Sequence, residues 1–473
     1  MRAQNRTPGR RPSRKAEPQT AAPRAAPSGL EARRLAVRLV ETVLLGAKSL
    51  DDALDEADRA GWRQRVEPRD RAFARLMAAT VLRHQGSLAA VLAKFIARPL
   101  PTEGRRAHLV LLVAAAQLLM LGTPAYAAID MAVEQCRGDR VLGRYQKLCN
   151  AVLRRVAEQG AATLAGLDQP RLDIPDWLWR SWVAAYGEPT ARAIACASLR
   201  EAPLDLTVRR DAEGWAAKLG GRVLPTGSVR ILEHGPVDEM EGFADGAWWV
   251  QDAAAVLPVR LLGDVAGLQV ADVCAAPGGK TAALAAGGAH VTAVDTSARR
   301  MQRFEQNMAR LGFGERVSAV VADAGTWQPE HLFDVVLLDA PCTATGTIRR
   351  HPDILRLKRA DEMTRLAGVQ AQLLARAGTW LKPGGRLVFC TCSLQPEEGE
   401  LQIARYLAAH PDMQRLACDA SALGLPAAWF TAAGDLRTLP HLLALETPEL
   451  SGMDGFFAAV LQRRPSSASE APA

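Results

Sequence analysis

Residues 268–295 read LQVADVCAAPGGKTAALAAGGAHVTAVD, and the fold turns on how this stretch is parsed. An apolar run, VADVC (270–274), ends in small residues and the pair Gly278 and Gly279. A helical segment follows near 280–287, and a second apolar run, HVTAVD (290–295), ends in Asp295. Short apolar runs bounded by turn residues read as buried strands, and a helix between two of them reads as a parallel crossover. The same rhythm continues in VSAVVAD (317–323), FDVVLLD (333–339) and RLVFCTC (386–392), with helices near 297–311 and 361–381. GFFAAVLQRR (455–464) supplies another strand. The pattern predicts an α/β Rossmann-like domain over 266–464, built on a mostly parallel sheet covered on both faces.

Moving toward the N-terminus, the periodicity changes. From 29 to 160 it is helical throughout: Leu35, Leu39 and Val43 share one face, with Ala36, Val40 and Leu44 beside them. TPAYAAIDMAVEQC (123–136) gives a helix start in which Pro124 is tolerated in the first turn. An all-α domain is expected here. Residues 161–265 are mixed, with short strands in LDLTVRR and GSVRILEHG around a helix near 211–219, and they predict a small α+β unit. The Trp-rich segment there places Trp177, Trp179 and Trp182 in a core rather than on a base-stacking surface. Residues 1–28, rich in Arg, Pro and Ala, hold too few large apolar side chains to offset their ordering entropy and are expected to be disordered. Residues 465–473 read as a frayed tail.

With 473 residues, about three domains are expected. The formal charge is +7, and the first 28 residues, with seven basic side chains against Glu17 alone, hold +6 of it. Any nucleic-acid surface on the body must therefore be a local patch. Eight cysteines without a C-x-x-C pair predict neither a disulfide framework nor a metal site, and they fit a reduced cytoplasm. The longest apolar run, Leu109–Leu121, is too short to span a bilayer and contains Gln117, so a buried helix and a protein not held in a membrane are expected.

In a parallel sheet, ligands sit at the carboxyl ends of the strands. The turn Cys274–Gly279 lies there, followed by a helix N-terminus. It lacks the first glycine of a phosphate-binding loop, whose position is Cys274, and it lacks the dinucleotide pattern G-x-G-x-x-G. Asp295, Asp323 and Asp339 end three successive strands. Singly, each is as readily a turn former; together beside a glycine turn they describe a nucleoside cleft, for which S-adenosylmethionine is the natural occupant. Cys342 follows Asp339 by three residues, and Cys390 and Cys392 end a neighbouring strand. A thiolate that adds to C6 of a cytosine makes C5 nucleophilic enough to take a methyl group, so a thiol beside an acid at this edge suits pyrimidine C5 methylation. Spacing alone does not choose between the thiols.

CAAPGGKT (274–281), DAPCTATGTIRRHPDI (339–354) and TCSLQPEE (391–398) closely resemble the RNA cytosine-5 methyltransferases, the family that includes the Nol1/NSUN proteins. The resemblance implies Cys392 as nucleophile, with Cys342 assisting product release. It places Cys274, Ala275, Ala276, Pro277, Gly278, Gly279 and Lys280 around the methionine part of S-adenosylmethionine. Asp295 would hold the ribose with Arg300 nearby, Asp323 would lie by the adenine, and Asp339 would sit between donor and base. Cys390 matches no cysteine of the family and is expected to pack. DNA cytosine methyltransferases use the Pro-Cys thiol as nucleophile, so the presence of both thiols favours RNA. TPAYAAIDMAVEQC with KLCNAVLRR is similar to NusB-type RNA-binding domains, and that fusion is typical of bacterial 16S rRNA methyltransferases; the resemblance runs from about 29 to 464. VQDAAAVLP (250–258) departs from the family's more polar pattern, and no role rests on it. The resemblance thus implies a cytoplasmic, monomeric enzyme acting on 16S ribosomal RNA. Two other readings stay open: an RNA-binding, antitermination-like protein with a non-catalytic scaffold, and the same chemistry on tRNA.

Overall fold

The computed structural model describes residues 29–465; the segment expected to be disordered, 1–28, and all but the first residue of the expected tail lie outside the described residues. Helices Leu30–Gly46, Pro68–Arg83, Gln85–Phe95, Arg105–Leu119, Ala125–Arg137 and Gln146–Ala165 build the helical domain. Leu35, Leu39 and Val43 are buried in its single core, as their spacing requires. The long apolar run lies in helix Arg105–Leu119. Its one polar residue is satisfied: buried Gln117 donates to the Val113 carbonyl at 3.1 Å and accepts from Arg33 at 3.0 Å. Among the described residues no helix is long and apolar enough to cross a membrane.

A four-stranded antiparallel sheet follows, in the order β2–β3–β1–β4: β1 (Leu204–Val208), β2 (Arg222–Val223), β3 (Val229–Ile231) and β4 (Trp248–Val250). β1 and β3 fall in the stretches LDLTVRR and GSVRILEHG that the sequence marked as strands, whereas β2 and β4 escaped it, two or three residues carrying little alternation. Buried Arg230 on β3 meets Asp205 on β1 at 2.6 Å and donates to the carbonyls of Leu450 and Gly452, tying this sheet to the C-terminal segment. The Trp-rich helix Asp176–Tyr186 packs elsewhere. Trp179 and Trp182 share a core with Ile348, Ile354, Leu394 and Leu439, around the two loops that carry Cys342 and Cys392. They are core residues, as expected, but of a different core.

The large sheet runs β10–β12–β9–β8–β5–β6–β7, with β11 pairing to β12 off this path. Its members are β5 (Gln269–Val273), β6 (His290–Asp295), β7 (Val317–Val321), β8 (Phe333–Asp339), β9 (Leu381–Thr391), β10 (Met413–Leu416), β11 (Leu436–Thr438) and β12 (Phe456–Arg463). The five strands β9–β8–β5–β6–β7 are parallel, and β12 runs antiparallel to β9 and β10. On β5, Val270 packs into the core on one face while Ala271 and Val273 pack into the core on the other. The chain leaves β5 toward β6 on one side and returns at β8 on the other. The carboxyl ends of β5 and β8 therefore flank the switch point, where a doubly wound sheet opens a crevice.

Two strand boundaries differ from the sequence reading by more than one residue. β7 stops at Val321, so Asp323 lies in the following turn. β9 begins at Leu381 because Phe333 pairs with Leu381, despite Pro383, Gly384 and Gly385, which read locally as a turn. The register shift between Phe333 and Val335 absorbs them.

Candidate active site

The turn after β5 is shaped by backbone geometry before any side chain acts. Cys274 adopts a left-handed conformation (φ 64°), uncommon for a residue with a Cβ. Gly278 has φ 107°, and a Cβ there would lie 2.8 Å from the Phe304 ring, so only glycine fits. Asp295, at the end of β6, accepts from Ala276 N at 3.2 Å and from Ser297 N at 3.0 Å, pinning the turn to its neighbour strand. Arg300 donates to the Ala276 carbonyl and lies 3.2 Å from Asp295. Burial, followed by the charges of Asp339 and Asp295, pushes the Cys274 thiol up to about 12, so it stays protonated at neutral pH.

Lys280, in the first turn of helix Gly279–Ala286, reaches Asp339 at the end of β8, Nζ to Oδ2 2.6 Å. Burial alone would lower the lysine pKa, but the Asp339 charge and hydrogen bond win and raise it, so it is an ammonium group. The Phe456 ring lies 4.9 Å from Nζ, on the side of β12. Behind them Asp272, on β5, is fully buried and hydrogen-bonded to Thr281 Oγ1 at 2.5 Å; burial raises its pKa to about 7.

The two thiols of the cleft come from different loops. Cys342 follows β8 and Cys392 follows β9, and their sulfurs are 3.5 Å apart. Cys342 is raised well above the ordinary thiol value, first by its hydrogen bond with Cys392 and then by burial. Cys390 is buried in the sheet core, its Sγ 3.7 Å from Asp339 Oδ1, and burial raises it well above the usual value. The packing expectation for it stands, with a polar neighbour the sequence did not suggest. Close backbone contact sets the loop geometry: Gly346 N donates to the Cys392 carbonyl, and Gly455 N to the Gly346 carbonyl, both at 2.9 Å. Arg350, in the same loop as Cys342, is anchored by buried Asp454 at Oδ2. Burial alone would lower Arg350, but Asp454 outweighs it, while burial raises Asp454 to about 6.

The structure thus brings Lys280, Asp339, Cys342, Cys390 and Cys392 into one cluster, and ties Cys274 through Gly279 to Asp295 and Arg300 beside it. Asp323 stands apart: it is exposed, and its Oδ1 accepts from Gly325 N at 2.8 Å, the geometry of a turn former. A cavity of about 310 Å³ runs from Trp249 and Arg310 over the Ala275–Gly279 turn to Lys280, Asp339 and Arg350. Its size lies at the lower end for small-molecule sites. Asp272, Arg350, Asp454 and Glu398 were not singled out from the sequence. A carboxylate inside the apolar strand VADVC was a readable signal for the first of them, since a buried acid needs partners.

The sequence profile of the 16S rRNA methyltransferase RsmB/F family matches residues 260–462, and that of the NusB family residues 30–158. Ribosomal RNA small subunit methyltransferase B of Xanthomonas campestris pv. campestris is 36% identical over 454 residues, covering 92% of this chain and 98% of the relative. The protein of that name from Klebsiella pneumoniae subsp. pneumoniae is 35% identical, covering 91% of this chain and 98% of the relative. In fold, the crystal structure of PH0851 superposes with a TM-score of 0.70 at 23% identity, covering 92% of this chain and 99% of that one. Helical domain, small sheet and crevice with its two thiols lie within one full-length match, and on that likeness the chain belongs to the ribosomal RNA small subunit methyltransferase B family of methyltransferases.

Proposed function

We propose that the chain transfers a methyl group from S-adenosyl-L-methionine to C5 of a cytidine in 16S ribosomal RNA, through a covalent bond between Cys392 and C6. The observation that carries this reading is the pair of sulfurs 3.5 Å apart beside the Lys280–Asp339 ion pair, at the switch point of the sheet.

The residues present fit the donor. Residues Ala275–Lys280 line the cavity with Asp339, and Gly278 lets the turn pack its backbone against the Phe304 ring. Asp295, at the end of β6, supplies a carboxylate for the ribose, with Arg300 holding it and the turn together, while Asp323, in the exposed turn after β7, is the carboxylate left for the adenine side. When bound, the donor supplies an electrophilic methyl group on a sulfonium.

The target base, turned out of its stack, would lie with C6 at Cys392 and its N3 edge at Asp339. The sulfur–C6 bond forms as the C5–C6 π electrons move toward C5 and N3, and N3 takes a proton relayed from the Lys280 ammonium through Asp339, returned when the adduct breaks down. After C5 has gained its methyl group it carries both that group and its hydrogen. Cys342 takes the C5 proton, the C5–C6 double bond returns, and the sulfur–C6 bond breaks. Lys280 keeps Asp339 oriented through the 2.6 Å contact.

The test is 5-methylcytidine formation on small-subunit RNA by purified protein and by Cys392→Ser. Methylation by the wild type, lost in the variant, is the expected result. Undiminished product from the variant refutes the mechanism. Absence of donor binding by calorimetry would instead favour an RNA-binding scaffold, and product on tRNA alone would move the substrate.

A further inference from the structure

Glu398 is fully buried among hydroxyl and amide side chains, and the mechanism above does not use it. Its carboxylate receives four donors. Oε1 accepts from Thr343 N and from Gln370 Nε2, each at 3.0 Å. Oε2 accepts from Ser393 Oγ at 2.6 Å and from Thr343 Oγ1. Its own carbonyl accepts from Thr391 Oγ1 at 3.0 Å, and Gln370 Nε2 also donates to the Pro341 carbonyl at 2.9 Å.

Placed on the chain, these contacts have a pattern. Thr343 follows Cys342 and Pro341 precedes it; Ser393 follows Cys392 and Thr391 precedes it. One residue therefore holds, directly or through Gln370, both neighbours of each thiol. Nothing about general stability requires that coincidence, since a buried carboxylate needs donors but not these four. An ionised carboxylate is acceptor-only, which matches a site composed wholly of donors. We propose that Glu398 is the positioning residue that sets the register of the Cys342 and Cys392 loops, and so the separation of the thiol that attacks C6 from the thiol that takes the C5 proton. Its negative charge also falls among the influences that raise Cys342.

This inference rests on the two-thiol mechanism proposed above, so its test separates the two. Single-turnover reactions are run with 16S transcripts containing 5-fluorocytidine, on which the adduct forms but the fluorine at C5 blocks release. Adduct amplitude counts active molecules, and the rate constant reports thiol geometry. Glu398→Gln keeps one oxygen for the two N–H donors, while the two hydroxyls must turn to accept from the new amide. The rate constant per active molecule should fall at least about tenfold, since misplacement on the ångström scale costs up to about a hundredfold. Donor affinity should stay within about twofold, because the hydrogen bonds of Glu398 that involve a side chain go to Thr343, Gln370, Ser393 and Thr391 and not to the turn residues. A merely structural role would lower the amplitude and leave the rate constant unchanged, and that result overturns the proposal. Should Glu398→Gln fail to fold, Thr343→Val removes the hydroxyl, with its contacts to Glu398 and Ser393, and keeps the main-chain contact to Glu398. A smaller fall in the rate constant, about threefold or more, is then expected, and an unchanged rate constant overturns the proposal. Wild-type protein that forms no adduct refutes the two-thiol mechanism itself, and Glu398 with it.

Discussion

Replacing Cys342 by alanine isolates the second half of the proposed reaction. The substitution deletes one sulfur and leaves the backbone contacts of its loop, including Thr343 N to Glu398 and Gly346 N to the Cys392 carbonyl. The stability cost should be that of one methyl-sized deletion from a half-buried position, about 1 kcal/mol. The kinetic cost is larger. In the free protein the Cys342 proton is held first by the bond with Cys392 and then by burial. Once Cys392 is bonded to carbon the first of these is gone, and Cys342 becomes free to serve as base. Losing a positioned base slows its step by roughly 10²–10⁴-fold, about 3–5 kcal/mol at 1.36 kcal/mol per tenfold. Adduct should therefore accumulate, visible on a denaturing gel as a band of protein plus RNA that collapses on nuclease treatment. In the wild type, release should quicken as pH rises, because the thiolate is the active form; in Cys342→Ala that dependence should vanish. Normal turnover with no retarded band would refute the reasoning, as would an equal band from the Cys342→Ala, Cys392→Ser double variant.

Further outcomes follow from the same geometry. Asp272 has its pKa raised in the folded protein to about 7, so its stability contribution is complete below the unfolded value near ~3.9 and is lost as pH rises through about 7. Asp272→Asn should flatten the fall in denaturant stability between pH 4 and 7, and an unchanged slope would show that the buried acid is not its source. Gly346→Ala would put a Cβ 1.9 Å from the Gly455 carbonyl oxygen, so a loss of ~1–3 kcal/mol and a fall in methyl transfer are expected; an unaltered unfolding midpoint would contradict this close packing.

What the sequence revealed depended on whether a signal was local. β5, β6 and β8 were legible because buried parallel strands are short apolar runs ending in turn residues. Lys280, Asp339, Cys342 and Cys392 were legible as motif residues at strand ends, and the structure gathers them. Glu398 stood in the quoted stretch TCSLQPEE yet carried no readable role, because its partners Thr343 and Gln370 lie 55 and 28 residues away. Asp454, which anchors Arg350 from 104 residues away, was hidden for the same reason. The Trp-rich helix was rightly read as core, but periodicity says only that a face is buried and not against what. Asp323 shows the converse: as the last residue of an apolar run it read like Asp295, while the strand pairing stops two residues earlier.

The most direct test of the account identifies the atom that holds the RNA. Wild-type protein is reacted with 5-fluorocytidine transcript and donor, digested with protease and nuclease, and the nucleotide-bearing peptide is sequenced by mass spectrometry. The account predicts a methylated fluorocytidine attached at Cys392, with Cys342 and Cys390 unmodified. Attachment at Cys342 would reverse the roles of the two thiols, and the absence of any attached nucleotide would contradict covalent catalysis altogether.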